Sequence, residues 1–407
     1  MRFRPIVTLW LAMAAMLPIR PSQPGAPIVI LISIDGWRWD YLDRVNAPTL
    51  KVLAADGVRS EGLIPSFPSV TFPNHYTIVT GLLPDHHGII ANAMLDRSIG
   101  PDKFTMAAPT ARDPRWWGGE PIWTTVMRHG GRSAAMFWPG SEAIHPTYWR
   151  PFDDTLPNAE RVKQVLAWLA LPEGERPSFN TIYFSDVDHA GHDFGPDAAE
   201  TAAAAARVDA AIGSLVQGVR ALGLEPRTTY VVVSDHGMAA TSESRLIYLD
   251  DYVGPDDVEV VDTTPNAEMN PKSTLSADAI YKRLVNAHPA LAVYRRADLP
   301  AWLHYGTNPR IPAVLALADL GWTITSHTAA EARHAQGRSF NGGAHGYDPR
   351  YREMHGLFVA AGPRLRRGVV LPEFRNVDIY GLLCELLQVA PAPNDGDLRE
   401  IERALNR

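Results

Sequence analysis

Three aspartates and three histidines carry the chemistry that can be read directly from this chain: Asp35, then Asp188 with His192, then Asp235 with His236, and finally His345 in Gly342-Gly-Ala-His-Gly346. Carboxylate oxygens and imidazole nitrogens suit hard to borderline divalent cations, and six of them suffice for two adjacent metal sites. With no thiolate among the donors, zinc is the first choice, and iron, manganese or cobalt are the alternatives. Thr71, in Ser69-Val-Thr-Phe-Pro-Asn-His75, lies between the first two clusters. A hydroxyl beside two metals is a candidate nucleophile for covalent phosphoryl transfer, because coordination lowers its pKa.

Each residue also has a plainer reading. Asp35 precedes Gly36 and could simply cap the next segment. Asp235-His236-Gly237 is more specific, since adjacent carboxylate and imidazole at a turn can serve one metal. Asp188 and His192, spaced i,i+4, turn together toward a second. A lone histidine in a glycine-rich loop is ordinarily solvent-exposed, but the other five ligands lack one member for a symmetric pair of sites, and His345 supplies it. Pro73 fits a first helical turn, so Thr71 reads as an N-cap, at a helix terminus that would also favour phosphate. His75, His86 and His87 read as helix-face and turn residues. There is no Gly-x-Ser-x-Gly elbow and no P-loop, which argues against a serine-triad esterase and against a nucleoside triphosphatase of that type.

These residues need a scaffold that brings them together. Ile28 to Ile34, Phe179 to Phe184, Tyr230 to Val233 and Leu357 to Ala360 are short branched apolar runs, as expected for buried parallel strands. Three of the four are followed at once by candidate ligands, which places them in the crevice at the carboxyl ends of the strands. Helical patterns at Ala47 to Ala55, Thr124 to His129 and Asp197 to Leu222 alternate with the strands and predict an α/β architecture. The segment 254–327 breaks this alternation, supplies no ligand and reads as an inserted cap on one catalytic domain of residues 27–395. Residues 396–407 read as a C-terminal tail.

At 407 residues and 46% hydrophobic, the chain can bury a large core. A net charge of -7, with no basic run, excludes polymeric nucleic acid as an expected partner. Residues 1–26 combine a positive start with an apolar stretch of signal-peptide length, which predicts export to the periplasm or medium and no membrane association after signal removal. Cys384, the one cysteine, reads as a small buried apolar side chain.

The ordered segments Ser33-Ile-Asp-Gly36, Pro68-Ser-Val-Thr-Phe-Pro-Asn-His75, Tyr183-Phe-Ser-Asp-Val-Asp-His-Ala-Gly-His192, Ser234-Asp-His-Gly237 and Gly343-Ala-His-Gly346 resemble those of the nucleotide pyrophosphatase/phosphodiesterase family of the alkaline phosphatase superfamily. The resemblance implies an alkaline-phosphatase-like α/β/α sandwich with a mostly parallel central sheet. It implies two zinc ions per chain, the first on Asp35, Asp235, His236 and the Thr71 nucleophile, the second on Asp188, His192 and His345. It further implies that Asn92 binds a phosphate oxygen and that Phe72 and Tyr183 flank a nucleotide base, although a packed core residue is the plainer reading of Tyr183. The expected activity is hydrolysis of nucleotide phosphodiester or phosphoanhydride bonds through a phospho-threonine, on a small-molecule substrate. A phosphodiesterase for choline or lysophospholipid diesters, a phosphomonoesterase, and a non-catalytic nucleotide- or metal-binding module are the alternatives. A sulfatase would need a Cys or Ser near the nucleophile position, and Cys384 is far from it in the chain.

Overall fold

The computed structural model describes residues 25–406 apart from 108, 264, 273 and 274, so the expected signal segment lies almost wholly outside the described residues. Eight strands form the central sheet: β1 (Ile28–Ile34), β2 (Val58–Ser60), β3 (Ser133–Met136), β4 (Tyr148–Arg150), β5 (Phe179–Phe184), β6 (Thr228–Val233), β7 (Phe358–Ala361) and β8 (Val369–Leu371). Their order is β8-β2-β7-β6-β1-β5-β3-β4. All neighbours are parallel except β7, which runs antiparallel to both β2 and β6. The expected α/β class and mostly parallel sheet are therefore observed. The short strands β2 and β8 at one side of the sheet and β3 and β4 at the other carry no sustained branched apolar run to mark them.

The central strands β1, β5 and β6 are buried throughout and mostly apolar because both faces of the sheet are covered. In β1, Val29 and Leu31 enter one core, and Ile28, Ile30, Ile32 and Ile34 enter the other. This period-2 division sorts the helices as well. The first core is closed by α2 (Thr71–Thr80), by the helix Ile122–Arg128 and by α6 (Ile379–Leu387); the second by α1 (Pro48–Asp56), α3 (Asn158–Leu169) and α5 (Ala199–Ala221). Truncating Leu31, fully buried in β1, would cost roughly 2–5 kcal/mol. Polar groups tie helices within a layer too: the buried Asp209 of α5 accepts the Thr49 and Leu50 N–H groups at the start of α1, where that helix has no capping side chain of its own.

Cys384 is buried in α6 as expected, and burial pushes its thiol up to about 12. Residues 258–318 carry a separate sheet built from Val258–Thr263, Asn266–Pro271, Leu291–Arg295 and Val314–Ala318, all neighbours antiparallel. The helix Ala277–Leu284 packs on it, giving this sheet a small core of its own. Leu303, Tyr305 and Ile311 from the same region join the main core, and the Tyr305 hydroxyl donates to Ile90 O at 3.0 Å. The expected C-terminal tail is docked: Ile401 and Ala404 are fully buried, and Arg366 N donates to Ala404 O.

Candidate metal centre

Three neighbouring strands deliver the ligands to one crevice. β1 is flanked by β5 and β6 in parallel register, with Ile34 opposite Phe184 and Ser33 opposite Val233. Asp35, the loop leading to Asp188, and Asp235 with His236 therefore leave the sheet side by side. Gly36 then turns at φ +69, and a Cβ there would stand 2.9 Å from Asp188 Cα. Glycine thus lets α4 (Asp186–Phe194) approach close enough to set Asp188 beside Asp35. One turn along α4, His192 reaches the same cluster.

His345 arrives differently from the expected free loop. Gly342–Ala344 is a short strand paired antiparallel with Ala239–Thr241, which follows His236 almost directly. That ladder brings the His345 and His236 rings face to face, with centroids 3.5 Å apart. From the 258–318 region, Asn266 Nδ2 donates to Gly346 O at 2.6 Å and holds the following turn. Nothing in the sequence pattern marked Asn266, because its role exists only through a contact between distant segments.

The three ligand histidines share one device. His192 Nδ1 donates to Gly343 O, His236 Nδ1 to Gly237 O and His345 Nδ1 to Ser69 O, at 2.8, 2.9 and 3.0 Å. A carbonyl oxygen can only accept, so each Nδ1 carries the proton and each Nε2 presents a lone pair inward. His236 Nε2 lies 3.0 Å from Asp235 Oδ2 and 3.3 Å from Asp35 Oδ1; Asp188 Oδ1 lies 3.4 Å from His192 Nε2 and 3.7 Å from His345 Nε2. Asp35 Oδ1, Asp188 Oδ1 and Asp235 Oδ2 are buried without a hydrogen-bond donor. Three orphaned carboxylate oxygens facing inward lone pairs fit divalent cations and little else.

Electrostatics agree with that fit. Burial, then the Asp235 and Asp188 charges, push the Asp35 carboxyl well above the usual range. Burial also works against the Asp235 carboxylate, but His236 and His75 outweigh it and hold that group well below. Burial, followed by His236 and His192, drives His345 well below the ordinary imidazole value. Positive charge brought in by cations would relieve the carboxylate repulsion.

Among the described residues, the donor atoms converge in three overlapping groups: Asp188, His192 and His345; Asp35, Asp188 and His236; and Asp35, His75 and Asp235. The overlap makes the two expected triads one continuous cluster. His75, read from the sequence as a helix-face residue, sits within it. Its role differs from the other three, since Nε2 is engaged by the Ser33 hydroxyl at 2.7 Å and Nδ1 donates to Thr71 O at 2.9 Å. His75 braces β1 against α2 and offers no free lone pair.

Thr71 is not the N-cap expected for it. Val70 holds that position with no side-chain cap, and Thr71 is the first helical residue. Its Oγ1 lies 3.4 Å from His236 Nε2, so the hydroxyl faces the cluster instead of the helix backbone. The free N–H at the helix start is met instead by Asn92, whose Oδ1 accepts from Phe72 N at 2.9 Å. With the oxygen used, Asn92 has its Nδ2 hydrogens left to donate to an oxygen.

A cavity of about 440 Å³ opens beside Thr71 and Asp188, walled by Phe72, Trp117, Phe152 and Tyr183. Tyr183, expected to flank a base, has its hydroxyl committed to Asp35, donating to Oδ2 at 2.6 Å from a side chain on the buried strand β5. Phe152, 50% exposed, is the freer aromatic surface at this wall. It comes from a segment without a motif, and no pattern in the sequence distinguishes it.

Residues 29–348 match the family model for type I phosphodiesterase / nucleotide pyrophosphatase. All six candidate ligands, Thr71 and Asn92 fall inside that span. Over 383 residues the chain is 39% identical to an uncharacterized pyrophosphatase/phosphodiesterase of Schizosaccharomyces pombe, covering 90% of this chain and 78% of that protein. It is 34% identical to human ectonucleotide pyrophosphatase/phosphodiesterase family member 5, covering 98% and 83%. Against the venom phosphodiesterase of Macrovipera lebetinus, identity is 36%, but the chain spans 45% of that longer protein. The solved human ectonucleotide pyrophosphatase / phosphodiesterase 5 superposes with a TM-score of 0.87 at 34% identity, over 93% of this chain and 100% of the other. An inactive threonine-to-alanine variant of the murine protein, solved in complex with AMP, superposes equally well at 32% identity, over the same shares of the two chains. The chain belongs to the type I phosphodiesterase / nucleotide pyrophosphatase family, within the alkaline phosphatase superfamily.

Proposed function

We propose that the protein is a two-zinc nucleotide phosphodiesterase/pyrophosphatase that works through a covalent phospho-threonine. The observation that carries this reading is the Thr71 hydroxyl at the head of α2, 3.4 Å from His236 Nε2 within a cluster whose three carboxylates each leave one buried oxygen unsatisfied. Asp35, Asp235, His236 and Thr71 would hold one cation and Asp188, His192 and His345 the other, with Asp188 close enough to Asp35 and His236 to couple the two sites. When bound, the cations supply positive charge that lowers the Thr71 pKa and neutralises the oxygens of the reacting phosphate.

The remaining work belongs to the chain. Thr71 Oγ1 attacks phosphorus as the bond to the departing oxygen breaks, and water then displaces Thr71 from the phosphoryl group to regenerate the hydroxyl. Asn92 donates through Nδ2 to a phosphate oxygen while its Oδ1 keeps α2 in register. The aromatic cavity beside Thr71 receives the nucleoside, with Phe72 on one side; stacking accepts any base because every base has a π-face. AMP in the murine relative supports a nucleoside monophosphate as the group retained. Export remains the expectation for residues 1–26; it agrees with ectoenzymes and venom enzymes among the relatives.

The test is Thr71→Ala assayed on ATP, a dinucleotide, p-nitrophenyl-TMP and a lysophospholipid with zinc-loaded protein. Turnover should fall by about 10³-fold or more with metal content unchanged. Retained turnover would refute the covalent step, and preference for the lysophospholipid would refute the nucleotide substrate.

A further inference from the structure

A second cleft, of about 450 Å³, adjoins the metal centre away from the aromatic cavity. Helix α4 stands between the two: Asp188 lines the aromatic cavity, and His192, one turn later, lines the second cleft. The other walls used here are Thr263, Thr325, Arg333, Arg338 and Phe340. His192 is the open side of the cluster, with its side chain 40% exposed, whereas the side chains of Asp35, Asp235 and His236 are at most 2% exposed.

The two arginines are set for an anion. Arg333 lies over the Phe340 ring, its guanidinium carbon 4.9 Å from the centroid, and its Nε donates to Ser339 O. Among the described residues, neither Arg333 nor Arg338 has a carboxylate within ion-pair distance. Glu243 and Asp193 act on Arg333 only at longer range. Glu243 is already occupied by Phe340 N, the Ser339 hydroxyl and His334. Two guanidiniums without counter-ions, beside threonine hydroxyls and at the edge of a cluster built for phosphate, form an oxyanion site.

We infer that this cleft binds the anionic departing portion of the substrate, a pyrophosphate or a second nucleotide's phosphate, through Arg333 and Arg338. The inference rests on the proposed reaction: in-line attack sends the departing group away from Thr71 Oγ1, and Thr71 lines the aromatic cavity but not the cleft to which α4 presents His192.

The test compares wild type with Arg333→Ala, Arg338→Ala and the double variant, all zinc-loaded, on ATP and on p-nitrophenyl-TMP. Before cleavage the departing portion is an anionic diphosphate in ATP and a neutral nitrophenyl ring in p-nitrophenyl-TMP. For ATP, kcat/KM should fall about tenfold per arginine, while p-nitrophenyl-TMP changes by less than about twofold. Inorganic pyrophosphate should lose product inhibition in parallel, and Arg338→Lys should recover part of it. Equal losses on both substrates, or none on either, would overturn the assignment. Should the wild type hydrolyse neither substrate, the proposed reaction fails by itself; the cleft is then judged by titration calorimetry with pyrophosphate. Tighter binding to wild type than to the double variant supports the cleft, and equal binding overturns it. Arg338 is exposed, so its single variant keeps the test open if Arg333→Ala does not fold.

Discussion

Tyr183→Phe separates two roles for one side chain, because it removes the hydroxyl and keeps the ring. In the structure that hydroxyl donates to Asp35 Oδ2 at 2.6 Å, and the opposite oxygen, Asp35 Oδ1, has no hydrogen-bond donor. Asp35 is 1% exposed, so no water replaces the lost donor. A hydrogen bond to a buried charge contributes about 1.5–3 kcal/mol. Removing a group that orients a metal ligand typically weakens the metal by about 10–100-fold, or roughly 1.4–2.7 kcal/mol, which agrees with that range. Competition against a chromophoric chelator should therefore show one of two zinc ions bound about 10–100-fold more weakly in Tyr183→Phe. At saturating zinc, KM for p-nitrophenyl-TMP should stay within about twofold of wild type, since the aromatic face is intact. Unchanged zinc affinity together with a raised KM would refute this reasoning and give the hydroxyl to the substrate.

Removing metal should lower stability, because the cations bind the folded cluster and not the unfolded chain. At about one hundred times the dissociation constant, each site contributes about 2.7 kcal/mol, so a chelator should lower the melting temperature by several degrees and zinc should restore it. Identical melting with and without chelator would mean that no metal binds the folded cluster. Acid stability has a separate component in His87, whose Nδ1 accepts from Ile89 N while Nε2 meets the Thr77 hydroxyl. Burial pushes His87 from 6.5 down to about 3, so between those values the unfolded chain takes a proton that the folded one refuses, and stability falls as pH drops. The stability gap between wild type and His87→Gln in urea unfolding should narrow by about 2 kcal/mol between pH 7 and pH 5. An unchanged gap would mean that His87 titrates normally.

Much of the centre was legible in the chain because its signals are local. β1 and β5 are mostly apolar runs whose bounds agree with the pattern, since strands buried on both faces leave few polar positions, here Ser33, Asn180 and Thr181. The ligands directly follow strands, and i,i+4 spacing on α4 joins Asp188 to His192 without reference to the rest of the fold. Thr71 as an N-cap was the natural local inference, and it fails because Asn92, twenty residues beyond Phe72, satisfies the helix start. The bracing role of His75 was unreadable for a related reason: Thr71 is one turn away in α2, but Ser33, which engages Nε2, is 42 residues away in β1.

The sequence by itself determined the α/β class, the donor types and their order, because periodicity and residue chemistry are properties of short segments. The tertiary structure alone decided how the donors interlock: the parallel register of β6, β1 and β5, the Gly342–Ala344 ladder that stacks His345 on His236, and the diversion of the Tyr183 hydroxyl to Asp35. It also decided that Arg333 and Arg338, which belong to no motif, stand at the open side of His192. Those relations are contacts between segments separated by tens to hundreds of residues, and no local pattern encodes a contact whose two halves are set by the packing of everything between them.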